Sequence, residues 1–235
     1  MEEREAEIYA ELRDAAEFFR ALGIEALPFR LPERTESSPG GSGGRDEALV
    51  RLRSEIGDCR RCKLSAGRRN IVFGEGRADA RLMFIGEGPG KDEDIQGRPF
   101  VGEAGALLTK LIEKMHFGDK NLMRTDVYIA NIVKCRPPMN RDPEEDEIAS
   151  CRGFIERQIE IIRPEMIVTL GRIALQTLLR RPDIRITAAR GNFFEYEGIP
   201  VMPTFHPAYL LRNPKDKWLT WSDAQKVMGR LAGHE

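Results

Sequence analysis

The chain has 235 residues, 41% hydrophobic and 32% charged, with a formal net charge of −1. That length buries a full core with room for an appendage, and that composition is that of a soluble globular protein. No apolar run approaches a membrane span and the acidic start MEEREAEIYAEL is no signal peptide, so no membrane contact and a cytoplasmic location (prokaryotic cytosol) are expected.

Residues 1–22 carry Ile8, Leu12, Ala15, Phe18, Phe19 and Leu22 at helical spacing, which predicts an amphipathic helix in an N-terminal extension over 1–31. Its apolar stripe either packs on the main body or docks onto a partner protein. Residues 32–45, rich in Pro, Gly and Ser, read as a flexible linker. The main domain is expected over 46–235. It opens with a helix at 46–57 and then a Cys59–Cys62 knuckle of C-x2-C spacing.

Arg60, Arg61, Lys63, Arg68 and Arg69 fall within ten residues that contain no acidic side chain. They form either a solvated face or a phosphate-contacting patch. Residues 81–85 read as a buried strand leading into GEGPGKDED (86–94), a loop that gathers Glu87, Asp92, Glu93 and Asp94. It matches no phosphate-binding motif, and four carboxylates would repel phosphate. GRPFVG (97–102) follows with Phe100, a packing or a stacking residue, and then a helix over 103–116.

A second strand at 127–133 places Asn131 among apolar neighbours, where its carboxamide needs two acceptors and a donor. Lys134 and Arg136 flank Cys135. Further elements are a helix at 144–162, a strand at 166–170, a helix to 179, extended segments at 193–196 and 200–205, and a closing helix at 215–232. The loop between the last two, HPAYLLRNP (206–214), has His206 at a strand end. Apolar residues and then Arg212, Lys215 and Lys217 follow it, an arrangement suited to unstacking bases beside phosphates.

Strand, loop and helix in alternation predict a three-layer α/β/α fold with a central, mostly parallel four-stranded sheet. Ligands of such sheets bind at the carboxyl ends of the strands, where the three loaded loops emerge. The chain's only four cysteines, Cys59, Cys62, Cys135 and Cys151, make a full ligand set for one zinc or one iron–sulfur cluster, or else two disulfides or unrelated thiols.

The order of these motifs, C-x2-C, GEGPGKDED, GRPFVG, NIVKCRPP with a further cysteine, then HPAYLLRNP, resembles the family 4 uracil-DNA glycosylases, iron–sulfur members of their superfamily. The resemblance runs from about Ile56 to the C-terminus and excludes residues 1–50. It implies a [4Fe–4S] cluster on Cys59, Cys62, Cys135 and Cys151. It implies a uracil pocket of Gly86, Glu87, Gly88, Phe100, Asn131 and His206, in which Phe100 stacks on the flipped base and Asn131 reads its O4 and N3 edge. His206, Glu87 and Glu93 are then the catalytic candidates. Leu210 or Leu211 is the expected wedge, and Arg212, Arg60 and Arg61 the expected DNA contacts, with Lys134 and Arg136 also set beside the DNA path. The best-known superfamily branch has an aspartate where this chain has Gly88, so the water-activating group is open. The implied partner is uracil-containing DNA, double- or single-stranded, acted on by a monomer. The rival readings are a metal-stapled, non-catalytic nucleic-acid binding module and a relative that crosslinks to uracil-DNA. The crosslinking relative uses a histidine on an inserted loop, and this chain has neither histidine nor insertion there.

Overall fold

A computed structural model describes residues 43–233. The expected helix at 1–22, and the linker up to residue 42, lie outside them. The first described helix, α1 (Gly43–Ile56), begins three residues before the expected start, so residues 43–45 belong to it and not to the linker. Its Leu49, Leu52 and Ile56 are buried, at the spacing that puts them on one face.

The central sheet has six strands: β1 (Glu75–Gly76), β2 (Leu82–Gly86), β3 (Tyr128–Asn131), β4 (Met166–Leu170), β5 (Phe194–Tyr196) and β6 (Ile199–Thr204), in the order β1-β3-β2-β4-β6-β5. The four inner strands are parallel, as expected. The expected count of four is corrected by two short antiparallel edge strands, β1 on β3 and β5 on β6. Every residue of β2, β3 and β4 is buried, because helices cover both faces of a parallel sheet.

One core layer packs α1 and α4 (Glu145–Ile162) against Met83, Ile85, Ala130 and Ile132. The opposite layer joins Leu82, Phe84 and Ile129 to Leu108 and Ile112 of α3 (Glu103–Lys114), and to Ala224 and Val227 of the last helix, Lys217–Leu231. Between these fall α2 (Lys91–Gln96), α5 (Arg172–Leu179) and α6 (Pro207–Arg212). The helix expected at 103–116 ends at Lys114, and His116–Phe117 pairs instead with Lys120–Asn121. No helix among the described residues is long and apolar enough to cross a membrane.

Candidate active site and cysteine cluster

β2 and β3 run in parallel register with Gly86 opposite Asn131, so both reach the carboxyl edge of the sheet together. A Cβ on Gly86 would stand 2.4 Å from Asn131 Oδ1 and 2.5 Å from Phe100 Cζ. Only glycine lets these two side chains meet over that strand end. Asn131 is 1% exposed, and its Oδ1 is buried with no hydrogen-bond partner. An orphaned buried acceptor costs folding energy unless a ligand satisfies it.

A cavity of about 480 Å³ opens over this edge, within the range of small-ligand sites. Glu87, Gly88, Glu93, Phe100, Asn131, His206 and Arg212 line it, together with Pro137, Asn140 and Arg141. The last three escaped the sequence reading, because the turn that carries them has no motif beyond two prolines. Phe100 has a left-handed φ of 52°, and its ring centroid lies 5.7 Å from that of His206.

The four acidic residues of the 86–94 loop do four different things. Asp94 is buried and accepts the backbone N–H groups of Arg69 and Asn70. Asp92 is exposed. Glu93 accepts from Val101 at 2.8 Å, Gly102 at 3.0 Å and Gly90 at 3.1 Å, which clamps the backbone on both sides of the turn that holds Phe100. Glu93 also lines the cavity, but three main-chain N–H groups already hold its two oxygens. Asp92 also lines the cavity without such partners, but it is exposed, whereas Glu87 is half-buried. Burial, then repulsion from Asp142, raises its pKa to about 7, against the opposing pull of Arg172. Gly88 beside it has no room for a side chain, since a Cβ there would lie 2.7 Å from Val133 Cγ2.

His206 caps the start of α6, where its Nδ1 accepts the N–H of Ala208 at 3.1 Å. That bond fixes the tautomer: the proton sits on Nε2, which is left as a donor. Burial is the main cause that lowers its pKa to about 4, with Arg212 adding to the effect, so the ring is neutral at pH 7.

Two DNA-facing expectations change. Leu210 is 3% exposed and borders an apolar groove between α3 and the last helix, so it cannot serve as a wedge; Leu211, 38% exposed, can. Lys134 is 1% exposed, and its Nζ donates to Asn131 O at 2.8 Å and Gln158 Oε1 at 2.6 Å. It braces the Asn131 strand from within and reaches no DNA. Four of the five cations of the run are likewise engaged, and the fifth, Arg69, is exposed. Arg60 and Arg68 bond Asp58, and Lys63 meets Glu144 and Asp146. Arg61 lies over the Phe154 ring. The ten-residue window hid these partners, which sit just before it, at the start of α4 or on it.

Cys59, Cys62, Cys135 and Cys151 are free thiols that line one cavity with Ile56, Ile71 and Phe154, which removes the disulfide reading. Arg61 Nη1 points to Cys59 Sγ at 3.2 Å, Arg68 Nη1 to Cys135 Sγ at 3.4 Å, and the Lys134 N–H to Cys151 Sγ at 3.3 Å. Donors aimed at three of four sulfurs fit an anionic thiolate-bound group. Burial pushes the Cys135 thiol up to about 11, so ligation there must release a proton. Among the described residues no three His, Cys, Asp or Glu side chains close on a single-ion site.

A parallel sheet whose carboxyl edge opens onto a cavity holding an unpartnered buried carboxamide oxygen defines a small-ligand site of the α/β class. The family model described as "Uracil DNA glycosylase superfamily" matches residues 73–225, and the chain belongs to that superfamily. It is 46% identical to a "Type-4 uracil-DNA glycosylase" of Saccharolobus solfataricus over 188 residues, 77% of this chain and 85% of the relative. It is 48% identical to the protein of that description from Thermotoga maritima over 170 residues, 72% of this chain and 86% of the relative. A "Type-5 uracil-DNA glycosylase" of Pyrobaculum aerophilum is 30% identical over 195 residues, 78% of this chain and 85% of the relative.

Proposed function

We propose that the chain excises uracil from DNA and leaves an abasic site. The observation that carries this is the unpartnered Oδ1 of Asn131 facing a cavity walled by Phe100 and His206. Uracil presents N3–H and O4 side by side, and these match Oδ1 as acceptor and Nδ2 as donor. Cytosine reverses both and would leave two buried groups unpaired, at about 1–3 kcal/mol each. Phe100 stacks on the flipped base.

In the reaction the N1–C1′ bond breaks and its electron pair stays with the base. Charge grows on O2, where the neutral His206 Nε2–H donates a hydrogen bond that strengthens toward the transition state. The Glu87 carboxylate faces the growing positive charge at C1′. Water adds to that carbon and passes its proton to Glu87, which gives a C1′ hydroxyl and a uracil anion; the anion takes up a proton from solvent on release as Glu87 returns its own. Glu93 holds Phe100 and takes no proton.

Cys59, Cys62, Cys135 and Cys151 would hold a [4Fe–4S] cluster. A zinc ion with bonds of about 2.3 Å would need its sulfurs close together, and among the described residues no three ligands close on one ion, which favours the larger cluster. Bound, it supplies a cross-link between the Cys59 knuckle, the end of the Asn131 strand and α4. Leu211 and Arg212 of α6 enter and anchor the duplex. The protein acts on DNA as a monomer in a cytosol.

The test is single-turnover excision on an oligonucleotide with one uracil, read as alkali-sensitive nicking. The wild-type chain nicks it. H206A loses about 100- to 1,000-fold in rate with a smaller loss in binding. No nicking by the purified chain overturns the function, and an unchanged H206A rate overturns the role of His206.

A further inference from the structure

Met139 is 93% exposed, the highest value among the large apolar side chains of the described residues. It sits in the turn between Cys135 and α4, where it and Asn140 take left-handed φ values of 56° and 54°. Glycine or asparagine usually fills such positions, and a methionine there is strained. Strain of this kind persists only where surrounding bonds over-determine it, and it clusters at functional sites.

The surrounding bonds are present. The N–H groups of Asn140 and Arg141 return to the carbonyls of Pro137 and Pro138, each at 3.1 Å. Arg136 Nε donates to Asn140 Oδ1 at 2.7 Å. The Arg141 fork binds both oxygens of the fully buried Glu147, at 2.6 and 2.8 Å. The turn is therefore a rigid mount. Pro137, Asn140 and Arg141 line the active-site cavity, so the mount stands at its rim. Among the described residues, only Met139 and Leu211 of the exposed large apolar residues adjoin a cavity-lining residue in the chain, Asn140 and Arg212 respectively.

Apolar side chains that meet bent or kinked DNA insert between base steps, and methionine is among the residues that do it. We infer that Met139 is a second DNA probe: it enters the duplex beside the flipped nucleotide from the cysteine-linked turn, while Leu211 enters from α6. This rests on the proposed action on DNA. Two separately mounted probes hold the gap from two elements, and a single-stranded substrate, which has no gap to hold, needs neither.

The experiment compares wild type, M139A and M139L on uracil opposite adenine, opposite guanine and in single strands. A 2-aminopurine beside an uncleavable 2′-fluoro-deoxyuridine reports unstacking on binding without chemistry. M139A is expected to lose most of the fluorescence rise and to lower the duplex-to-single-strand rate ratio by about ten-fold, most for uracil opposite adenine. M139L restores both. A fluorescence rise and a rate ratio in M139A within about two-fold of wild type overturn the inference. So does a wild-type chain that gives no fluorescence rise. A wild-type chain that unstacks the duplex through Met139 yet excises nothing overturns the proposed reaction and leaves the probe standing.

Discussion

Asn131 shows how one side chain can serve function against stability. Its Oδ1 is buried without a partner, so the empty protein carries the cost of that desolvation. Leucine has a similar shape and no polar atoms. N131L is expected to lose about 3 kcal/mol of transition-state stabilisation, roughly 100-fold in excision rate, while its Tm equals or exceeds that of wild type. Calorimetry beside single-turnover kinetics checks both halves; a Tm that falls with activity would make Asn131 a structural residue. Glu87 makes a parallel case through pH. With a pKa raised to about 7, its carboxylate forms across neutrality, so the rate should rise about ten-fold per pH unit below 7 and level above it. His206, at about 4, adds no inflection there. E87Q should lower the rate and flatten the profile. Because the folded pKa lies above the ordinary 4.5, Glu87 weakens folding as pH rises from 4.5 through 7. E87Q should therefore melt above wild type at pH 8, with the gap closing toward pH 5. The sequence offered four carboxylates in one loop and no means of ranking them. Their partners, Arg69 and Asn70 for Asp94, Val101 and Gly102 for Glu93, come from chain folded back from outside the loop.

At the scale of elements, the four parallel strands were legible because unbroken apolar runs such as residues 82–85 have no other use in a chain of this pattern. The edge strand Glu75–Gly76 was not, since two residues carry no periodicity and its pairing with Tyr128 and Ile129 depends on register alone. Lys134 was misread for a related reason. Beside Cys135 it looks like a cationic flank, and only the position of Gln158 on α4 turns it inward. The turn at 136–142 gave no sign in the sequence of being a wall of the site. Its anchor is testable. Arg141 is the fork that satisfies Glu147, a carboxylate with no exposed surface. R141M leaves that buried charge with only Lys63 at 4.0 Å and the Glu144 N–H, at a cost of about 3 kcal/mol, or roughly 6–12 °C in Tm. The double variant R141M/E147L removes both charges and should recover most of the loss. Scanning calorimetry distinguishes this from a surface pair, whose removal would hardly move Tm.

For the whole molecule, the question is how a chain of net charge −1 binds a polyanion. Counting sequence-local basic residues pointed to the cysteine knuckle, yet there Arg60, Lys63 and Arg68 are held by Asp58, Glu144 and Asp146. Composition could not reveal this, because charge pairing across 80 residues is a property of the fold. The cations that line or follow the active-site cavity differ. Lys91, Arg212, Lys215 and Lys217 form no ion pair among the described residues, and Arg212 to Lys217 continue directly from α6, which carries Leu211. Phosphate contact by these four releases their counterions, so log K for uracil-containing duplex should fall with log salt at a slope of about −3 to −4. K215A and K217A should each shallow that slope by about 1, whatever the sequence around the uracil. R60A and R61A should leave it unchanged, since Arg60 answers Asp58 and Arg61 answers Cys59 and Phe154. Anisotropy titrations across a salt series measure all five proteins on one axis. A shallower slope in R60A and R61A, with none in the lysine variants, would move the DNA path from α6 to the cysteine knuckle.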